Sequence, residues 1–282
     1  HARHITPHRV DTEDRPSLLA ALRGHDAVVN ALPYHLAIAT ATLAREAGCH
    51  YFDLTEDVAA TRAIQQLADG ARTAFMPQCG LAPGFIGIVA HHLAQGFDSV
   101  QDVQMRVGAL PAFPTNALKY NLTWSVDGLI NEYCHPCEAI YGGETISALP
   151  LEGLEHFSLD GTEYEAFNTS GGLGTLCETL DGRVRTLNYR TIRYPGHAAI
   201  MKALLNDWRS VSTKIAGELG VVWPRDAMRA GFGKLVEIHA HFVQALAKVI
   251  VARNRPAHLQ GMLLRIESNA RFFGVAADCA VF

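Results

Sequence analysis

The sequence predicts an α/β Rossmann-like parallel sheet, incomplete, joined to an α+β substrate and dimerisation domain with a mainly antiparallel sheet. Three observations carry this. Up to residue 76, short apolar runs alternate with helix-length segments, the pattern of βαβ units with right-handed crossovers. Beyond residue 100 the strand patterns come in runs, with longer spacing between helices. Between the two lies Ala74-Phe-Met-Pro-Gln-Cys-Gly-Leu-Ala-Pro-Gly-Phe85, a buried strand that breaks into a loop at Gly80, Pro83 and Gly84. Open α/β sheets place ligands at such a loop, off the carboxyl end of a parallel strand. The expected division is therefore residues 1–85, a partial dinucleotide-binding domain, and 86–207, a substrate domain, with the active site between them. Residues 208–282 are expected as a helical carboxyl-terminal segment that neither domain claims.

Taken in order, Ile5 to Val10 reads as a short strand. Arg15 to Arg23 places Leu18, Leu19 and Leu22 on one helical face and stops at Gly24. Asp26 to Pro33 is a buried strand ending in Asn30, and Leu36 to Ala47 is an alanine-rich helix closed by Gly48. Tyr51-Phe52 is a brief strand followed by the acidic loop Asp53 to Asp57, and Val58 to Leu67 is the next helix. An apolar helix starts near Phe85. Asp102 to Val107 and Asn121 to Ser125 alternate as strands, and Arg225 to Arg253 carries Leu235, Ile238, Phe242, Leu246 and Val249 on one helical stripe.

Composition narrows the function. The chain has 282 residues, 49% of them hydrophobic, enough for real cores in one large or two modest domains. Its 24 basic and 28 acidic residues give a net charge of −4 with no basic block, which argues against nucleic acid as a partner. No apolar run is long enough to span a bilayer, and no signal peptide opens the chain. Six scattered cysteines suggest a reducing cytoplasm. Cys134-His-Pro-Cys137 supplies two ligands where a structural zinc site wants four, so no metal is expected.

A dinucleotide fold normally opens with a strand, a G-x-G-x-x-G turn and a helix whose N-terminus holds the pyrophosphate. No such turn occurs in the sequence; Gly172-Leu-Gly174 and Gly231-Phe-Gly233 lack the third glycine. With His1 in place of a methionine, a fragment or a processed product is expected.

Eight blocks then form a pattern. They are Val29-Asn-Ala-Leu-Pro-Tyr-His35, Tyr51-Phe-Asp-Leu-Thr-Glu56, Gln78-Cys-Gly-Leu-Ala-Pro-Gly84, Arg106-Val-Gly-Ala-Leu-Pro111, Asn121-Leu-Thr-Trp-Ser125, Gly128-Leu-Ile-Asn-Glu-Tyr-Cys134, Thr169-Ser-Gly-Gly172 and Arg193-Tyr-Pro-Gly-His197. In this order they resemble the saccharopine dehydrogenase family, especially its bacterial lysine-6-dehydrogenase-like branch. The resemblance spans about residues 15–207 and is absent from about Ser210 onward. It implies a Rossmann domain binding NAD or NADP, an inserted domain that binds an amino acid, a homodimer, and oxidoreductase chemistry on a C–N bond. A non-catalytic member that keeps the fold as a binding or structural subunit is the alternative.

The candidate residues follow. Asn30, Ala31, Pro33 and Tyr34 end one strand, and Asp53 and Thr55 end the next, so they line a dinucleotide edge or serve as plain caps. Gly80, Leu81 and Pro83 allow backbone to approach a flat ring, with Cys79 beside it. Arg106 or Arg193 suits an α-carboxylate through its fork of donors; for Arg106 a solvated strand face is the alternative. Thr169, Ser170 and Gly171 offer a nest of backbone amides, and Ser125 points toward the same cleft. His197, Lys119 and Asp53 are the candidate bases for the amine proton.

Overall fold

The computed structural model describes residues 6–121, 125–207, 243–252 and 259–268, the last two segments as backbone strands. The chain divides after Gly80 into two compact units.

The first unit runs α1 (Arg15–Leu22), β1 (Ala27–Asn30), α2 (Ala37–Ala47), β2 (His50–Asp53), α3 (Val58–Ala68) and β3 (Phe75–Met76). Its sheet has the order β1-β2-β3, all parallel. Each helix start has a local cause. The Asp14 carboxylate accepts from the Ser17 amide at 2.9 Å at the head of α1. Asp57 does the same for Ala60, at 2.6 Å, at the head of α3. Gly48, at φ 76°, closes α2 in the left-handed region that glycine favours. Val28, Tyr51 and Phe75 form one row across the sheet and face the helices, packed among Leu18, Leu22, Leu43 and Ile64. On the opposite face Val29 and Met76 stand exposed at 71% and 51%, so the described helices cover one side only.

Residues 6–10 form no strand, against the expectation for Ile5 to Val10; Pro7 there lacks the N–H that a ladder needs. The described sheet therefore has three strands rather than four.

The second unit opens with α4 (Phe85–Ala94) and β4 (Asp102–Pro111), then α5 (Val126–Cys134), β5 (Cys137–Tyr141), β6 (Glu144–Ala148), β7 (Glu155–Leu159), β8 (Thr162–Asn168), α6 (Leu176–Leu180), β9 (Thr186–Arg193) and α7 (His197–Lys202). The strands β10 (Val243–Ala252) and β11 (Leu259–Ser268) complete its eight-stranded sheet. The order is β11-β10-β4-β9-β5-β6, with the β7–β8 hairpin joined to the far half of β9. Only β4 and β9 pair in parallel; every other pairing is antiparallel. Two cores sit against it. One holds Ile86, Met105, Ile140, Leu176 and Leu187, and the other Leu110, Leu129, Tyr133, Phe167 and Met201.

Two expectations change here. Residues 243–252, expected as the end of a helix, are a strand along β4, in keeping with the β-branched run Val249-Ile-Val251. The rest of that predicted helix lies outside the described residues. The second is Asn121 to Ser125: Ser125 caps α5 instead of ending a strand, its hydroxyl accepting from the Gly128 amide at 3.1 Å, while residues 122–124 lie outside the described set.

One ion cluster holds the β4–β9 face to the β7–β8 hairpin. Arg106 stands opposite Arg190 in register and is 3% exposed. Its Nε and Nη2 fork onto the Glu155 carboxylate, Nη2 at 2.9 Å, while Nη1 donates to Asn188 Oδ1 at 2.7 Å. Arg190 bonds the same carboxylate. Burial alone would raise the Glu155 pKa, but the two guanidiniums outweigh it and hold it below the usual range.

Breaking a buried pair costs far more than breaking an exposed one. Arg106→Ala is expected to lower unfolding free energy by about 3 kcal/mol in urea titration. Arg185→Ala, which removes an exposed bidentate contact to Asp102, should lose less than about 1 kcal/mol. Equal losses would show that the cluster is not held as described.

Candidate functional site

In the first unit the candidates gather at the carboxyl edge of the parallel sheet. Asn30 and Asp53 end adjacent strands in register. Both are buried, at 4% and 1% exposure, and Tyr51 joins them. The Asn30 amide donates to Tyr51 Oη at 2.9 Å, and that hydroxyl reaches Asp53 Oδ2 at 2.8 Å. The second oxygen, Asp53 Oδ1, accepts from the amides of Thr55 at 3.1 Å and Gln78 at 3.0 Å. Asn30 Oδ1 takes the Leu32 amide at 3.0 Å. One buried network thus ties down the loops after all three strands.

Its electrostatics follow from burial. Desolvation pushes the Asp53 carboxyl above its usual range, although the Thr55 and Gln78 amides and the Tyr51 hydroxyl pull the other way. Partial desolvation raises Cys79, whose amide donates to the Asp53 carbonyl at 2.8 Å, and the Asp53 charge adds to that shift. The Cys79 side chain itself is exposed. Ala31, Pro33 and Leu54 are exposed at the same edge, apolar surface against which a flat ring can lie, and Gly80 carries no side chain to obstruct it. Tyr34 begins a 3-10 turn that leads into α2. Leu81 and Pro83 fall in the second unit, Leu81 against its core and Pro83 buried.

In the second unit Arg193, His197 and Lys119 come together, and Arg106 and Ser125 do not join them. Arg193 ends β9 and His197 opens α7, with Pro195 and Gly196 making the corner. Arg193 is 4% exposed, yet among the described residues it has no ion-pair partner. Its Cζ lies 4.3 Å from the centroid of the Tyr120 ring. Nε donates to Tyr133 Oη at 3.0 Å and Nη1 to the Ile192 carbonyl at 2.9 Å. The His197 ring stacks on Phe167, at 6.2 Å between centroids, with Tyr120 and Tyr133 edge-on to it. Lys119 is exposed, at φ 49°, and its Nζ reaches the Pro195 carbonyl at 3.1 Å.

His197 is corrected as a base. The imidazole is 1% exposed, and both its nitrogens are engaged, Nδ1 with the Leu118 carbonyl at 2.9 Å and Nε2 with Tyr133 Oη at 3.1 Å. Burial, with the Arg193 charge beside it, pushes its pKa down to about 3. Arg106 is corrected as well: Glu155 and Asn188 already occupy the donors a substrate carboxylate would need. Within Thr169 to Gly171 the central amide is already engaged. The Ser170 amide donates to the Glu132 carbonyl at 3.0 Å, and the Thr169 and Thr191 hydroxyls meet at 2.7 Å. The neighbouring Gly172 is there for packing, since a Cβ would meet the Tyr189 ring at 2.3 Å.

Several working residues escaped the sequence reading. Tyr51 and Tyr133 lie inside the family-like blocks, and nothing in their spacing marks a polar role. Glu165, 2% exposed, accepts from the Gly196 amide at 2.8 Å and the Ala198 amide at 2.6 Å, so a β8 carboxylate caps α7. No spacing in the sequence links residues 165 and 197. Among the described residues no His, Cys, Asp or Glu group is arranged to hold a metal, and no helix is long and apolar enough to cross a membrane.

The depressed His197 pKa has a testable sign. Its ordinary value is 6.5 and its folded value about 3, so below pH 6.5 the unfolded chain takes up a proton that the native imidazole refuses. Stability should therefore fall as pH drops from 6.5, with a limiting slope of about 1.4 kcal/mol per pH unit from this residue. Glu155, held below 4.5, adds its loss only in more acid solution, while Asp53 and Glu56, both raised by burial, act in the opposite direction. Urea titrations at pH 7 and pH 5 on wild type and His197→Gln isolate the term. A variant that keeps the whole acid dependence would show that His197 titrates normally in the native state.

The geometry can now be set beside known proteins. Residues 1–75 match the family model described as the saccharopine dehydrogenase NADP binding domain. Residues 80–213 match the saccharopine dehydrogenase C-terminal domain. Among solved structures, apo saccharopine dehydrogenase (L-Glu forming) from Saccharomyces cerevisiae superposes with a TM-score of 0.61 at 15% identity, over 92% of this chain and 74% of that one. At that identity the likeness is one of fold. An oxidoreductase from Sinorhizobium meliloti aligns at 13% identity over 95% of this chain and 62% of its own, with a TM-score of 0.35. A putative oxidoreductase from Magnetospirillum magnetotacticum aligns at 11% over 95% and 70%, with a TM-score of 0.33. Both superpositions are too loose to define a fold. The first unit is an NAD(P)-binding domain of parallel-sheet form, and the second carries a largely antiparallel sheet. Over residues 1–213 the chain is therefore built from the NADP binding and C-terminal domains of the saccharopine dehydrogenase family.

Proposed function

We propose that the chain is an NAD(P)-dependent oxidoreductase acting on the C–N bond of an amino acid or amino-acid adduct, of the saccharopine or lysine dehydrogenase type. The observation that carries this reading is Arg193, a buried guanidinium with no ion-pair partner among the described residues, set in a domain of that family. An unpaired buried cation is costly unless a bound anion completes it. The α-carboxylate of an amino acid is such an anion, and it matches the guanidinium fork.

When bound, the nicotinamide supplies the hydride acceptor. Asn30, Tyr51 and Asp53 would brace the loops that hold it, and Ala31, Pro33 and Gly80 would line the ring's surroundings. Arg193 would hold the substrate carboxylate, with Tyr120 against the guanidinium. With His197 locked, and Asp53 equally buried with both carboxylate oxygens engaged, Lys119 is the remaining candidate to take the amine proton. A base in this role contributes roughly two to four orders of magnitude in rate, which Lys119→Met would lose. A homodimer and a cytoplasmic setting belong to the same reading; five described cysteines, all unpaired, support a reducing compartment.

The defining assay follows NADH and NADPH formation with L-lysine and L-saccharopine. Arg193→Ala is expected to raise the KM of the carboxylate substrate by roughly one to two orders of magnitude, the worth of a charge-assisted contact. Arg193→Lys should recover part of that, because an ammonium cannot form the fork. L-lysinamide, which lacks the carboxylate, should be indifferent to both changes. An unaltered KM in Arg193→Ala would remove this anchor, and absence of turnover with every dinucleotide and substrate would favour a non-catalytic family member.

A further inference from the structure

We propose that Tyr133 and His197 are positioning residues that fix the Arg193 guanidinium through one directional hydrogen-bond chain, leaving its outer Nη1–Nη2 edge to take a carboxylate end-on. This rests on the reading of Arg193 as the substrate anchor.

The chain of donors can be assigned from chemistry alone. The Leu118 carbonyl can only accept, so His197 Nδ1, at 2.9 Å, carries the ring proton. In a neutral imidazole Nε2 then has a lone pair, and the Tyr133 hydroxyl, at 3.1 Å, donates to it. With its single proton committed, Tyr133 Oη must accept from Arg193 Nε, at 3.0 Å. Reading from one end, Arg193 Nε–H points to Tyr133, Tyr133 O–H to His197, and His197 Nδ1–H to the Leu118 backbone. The order has no reversible alternative while His197 stays neutral.

Neutrality is built into the surroundings. The ring lies against Phe167, Tyr120 and Tyr133. The charged and titratable neighbours are Arg193, which disfavours a second positive charge, and the tyrosines 120 and 133. Glu165 is committed to the Gly196 and Ala198 amides on either side of the histidine. Glu132 acts on Arg193 and Tyr133.

The consequence for Arg193 is geometric. A guanidinium can take a carboxylate side-on, through Nε and Nη2, or end-on, through Nη1 and Nη2. Tyr133 occupies Nε, so the side-on mode is closed. Nη1 gives one hydrogen to the Ile192 carbonyl, at 2.9 Å, which fixes the plane. What is left is the second Nη1 hydrogen and both on Nη2. Tyr120, 4.3 Å from Cζ, covers one face of that plane. The substrate carboxylate must therefore arrive in the guanidinium plane from the outer edge.

Two measurements test this on the full chain. Nitrogen-15 NMR should find His197 in the Nδ1–H tautomer and unprotonated from pH 8 to pH 5, and the Arg193 Nε–H slow to exchange. In Tyr133→Phe that N–H should lose its protection, and His197→Gln, whose amide can still accept from Tyr133, should keep more of it than His197→Phe. A titrating His197, an Nε2–H tautomer, or an Nε–H still protected in Tyr133→Phe overturns the chain, and this arm needs no substrate. The kinetic arm uses L-saccharopine with NADP. Tyr133→Phe should raise KM about fivefold to tenfold, the loss of one orienting hydrogen bond, with kcat near the wild-type value. His197→Gln should rescue more of the KM than His197→Phe, since the amide can still accept from Tyr133. A large KM effect in Arg193→Ala with none in Tyr133→Phe overturns the positioning role and leaves the anchor standing. No effect in Arg193→Ala sinks the anchor itself, and the NMR arm then decides the hydrogen-bond chain alone.

Discussion

The buried charge of Arg193 is the constraint around which the interior of the second unit is arranged. A guanidinium taken out of water loses several kcal/mol of solvation, and no carboxylate among the described residues forms a direct ion pair with it, although the Glu132 charge favours it. The chain compensates with weaker elements in concert: an aromatic face from Tyr120, a hydroxyl from Tyr133 and the Ile192 carbonyl. With the Glu132 charge acting on it from nearby, these outweigh the desolvation and keep the guanidinium charged. The same arrangement explains why His197 is neutral. A second positive charge beside the first would make the burial far worse.

The first unit solves a different problem with an acid. Asp53 is as buried as Arg193, but four groups meet it or its partner: the amides of Thr55 and Gln78, the Tyr51 hydroxyl and, through Tyr51, the Asn30 amide. The carboxylate thereby converts three separate loops into one rigid edge. That suits a site whose ligand is bound through backbone and ring contacts, because loops that must be ordered on binding weaken it. Glu155 does similar work in the second unit, where two guanidiniums converge on it and join a strand pair to a hairpin. Its role ends at architecture, since its partners are internal.

Much of this was legible in the chain. Periodicity and glycine stops located α1, α2 and α3 to within a residue or two, because those signals are local. The glycine and proline loop from Gly80 to Gly84 was visible for the same reason. The strand at 243–252 was not. Its apolar residues also satisfy a helical stripe, and what selects the strand is the open edge of β4, which no local pattern encodes. The Thr169 to Gly172 turn was legible as a turn, but the Ser170 amide is spoken for by the Glu132 carbonyl, thirty-eight residues away.

Arg106 and Arg193 show where sequence reasoning reaches its limit. Each sits on a strand beside an apolar β-branched or aromatic residue, inside a block that resembles the same family. Nothing local distinguishes them, and both were offered for one role. The difference is made by residues far away in the chain. Glu155 lies 49 positions from Arg106 and meets its fork, which turns that arginine into a brace. Arg193 meets Tyr133, 60 positions away, which takes a single donor and no charge. A tyrosine in place of a carboxylate at the tip of an arginine is a small change in composition, and it decides whether the fork is closed by an ion pair within the fold. An arginine becomes a binding group by what its neighbours decline to neutralise, and that property belongs to the folded arrangement alone.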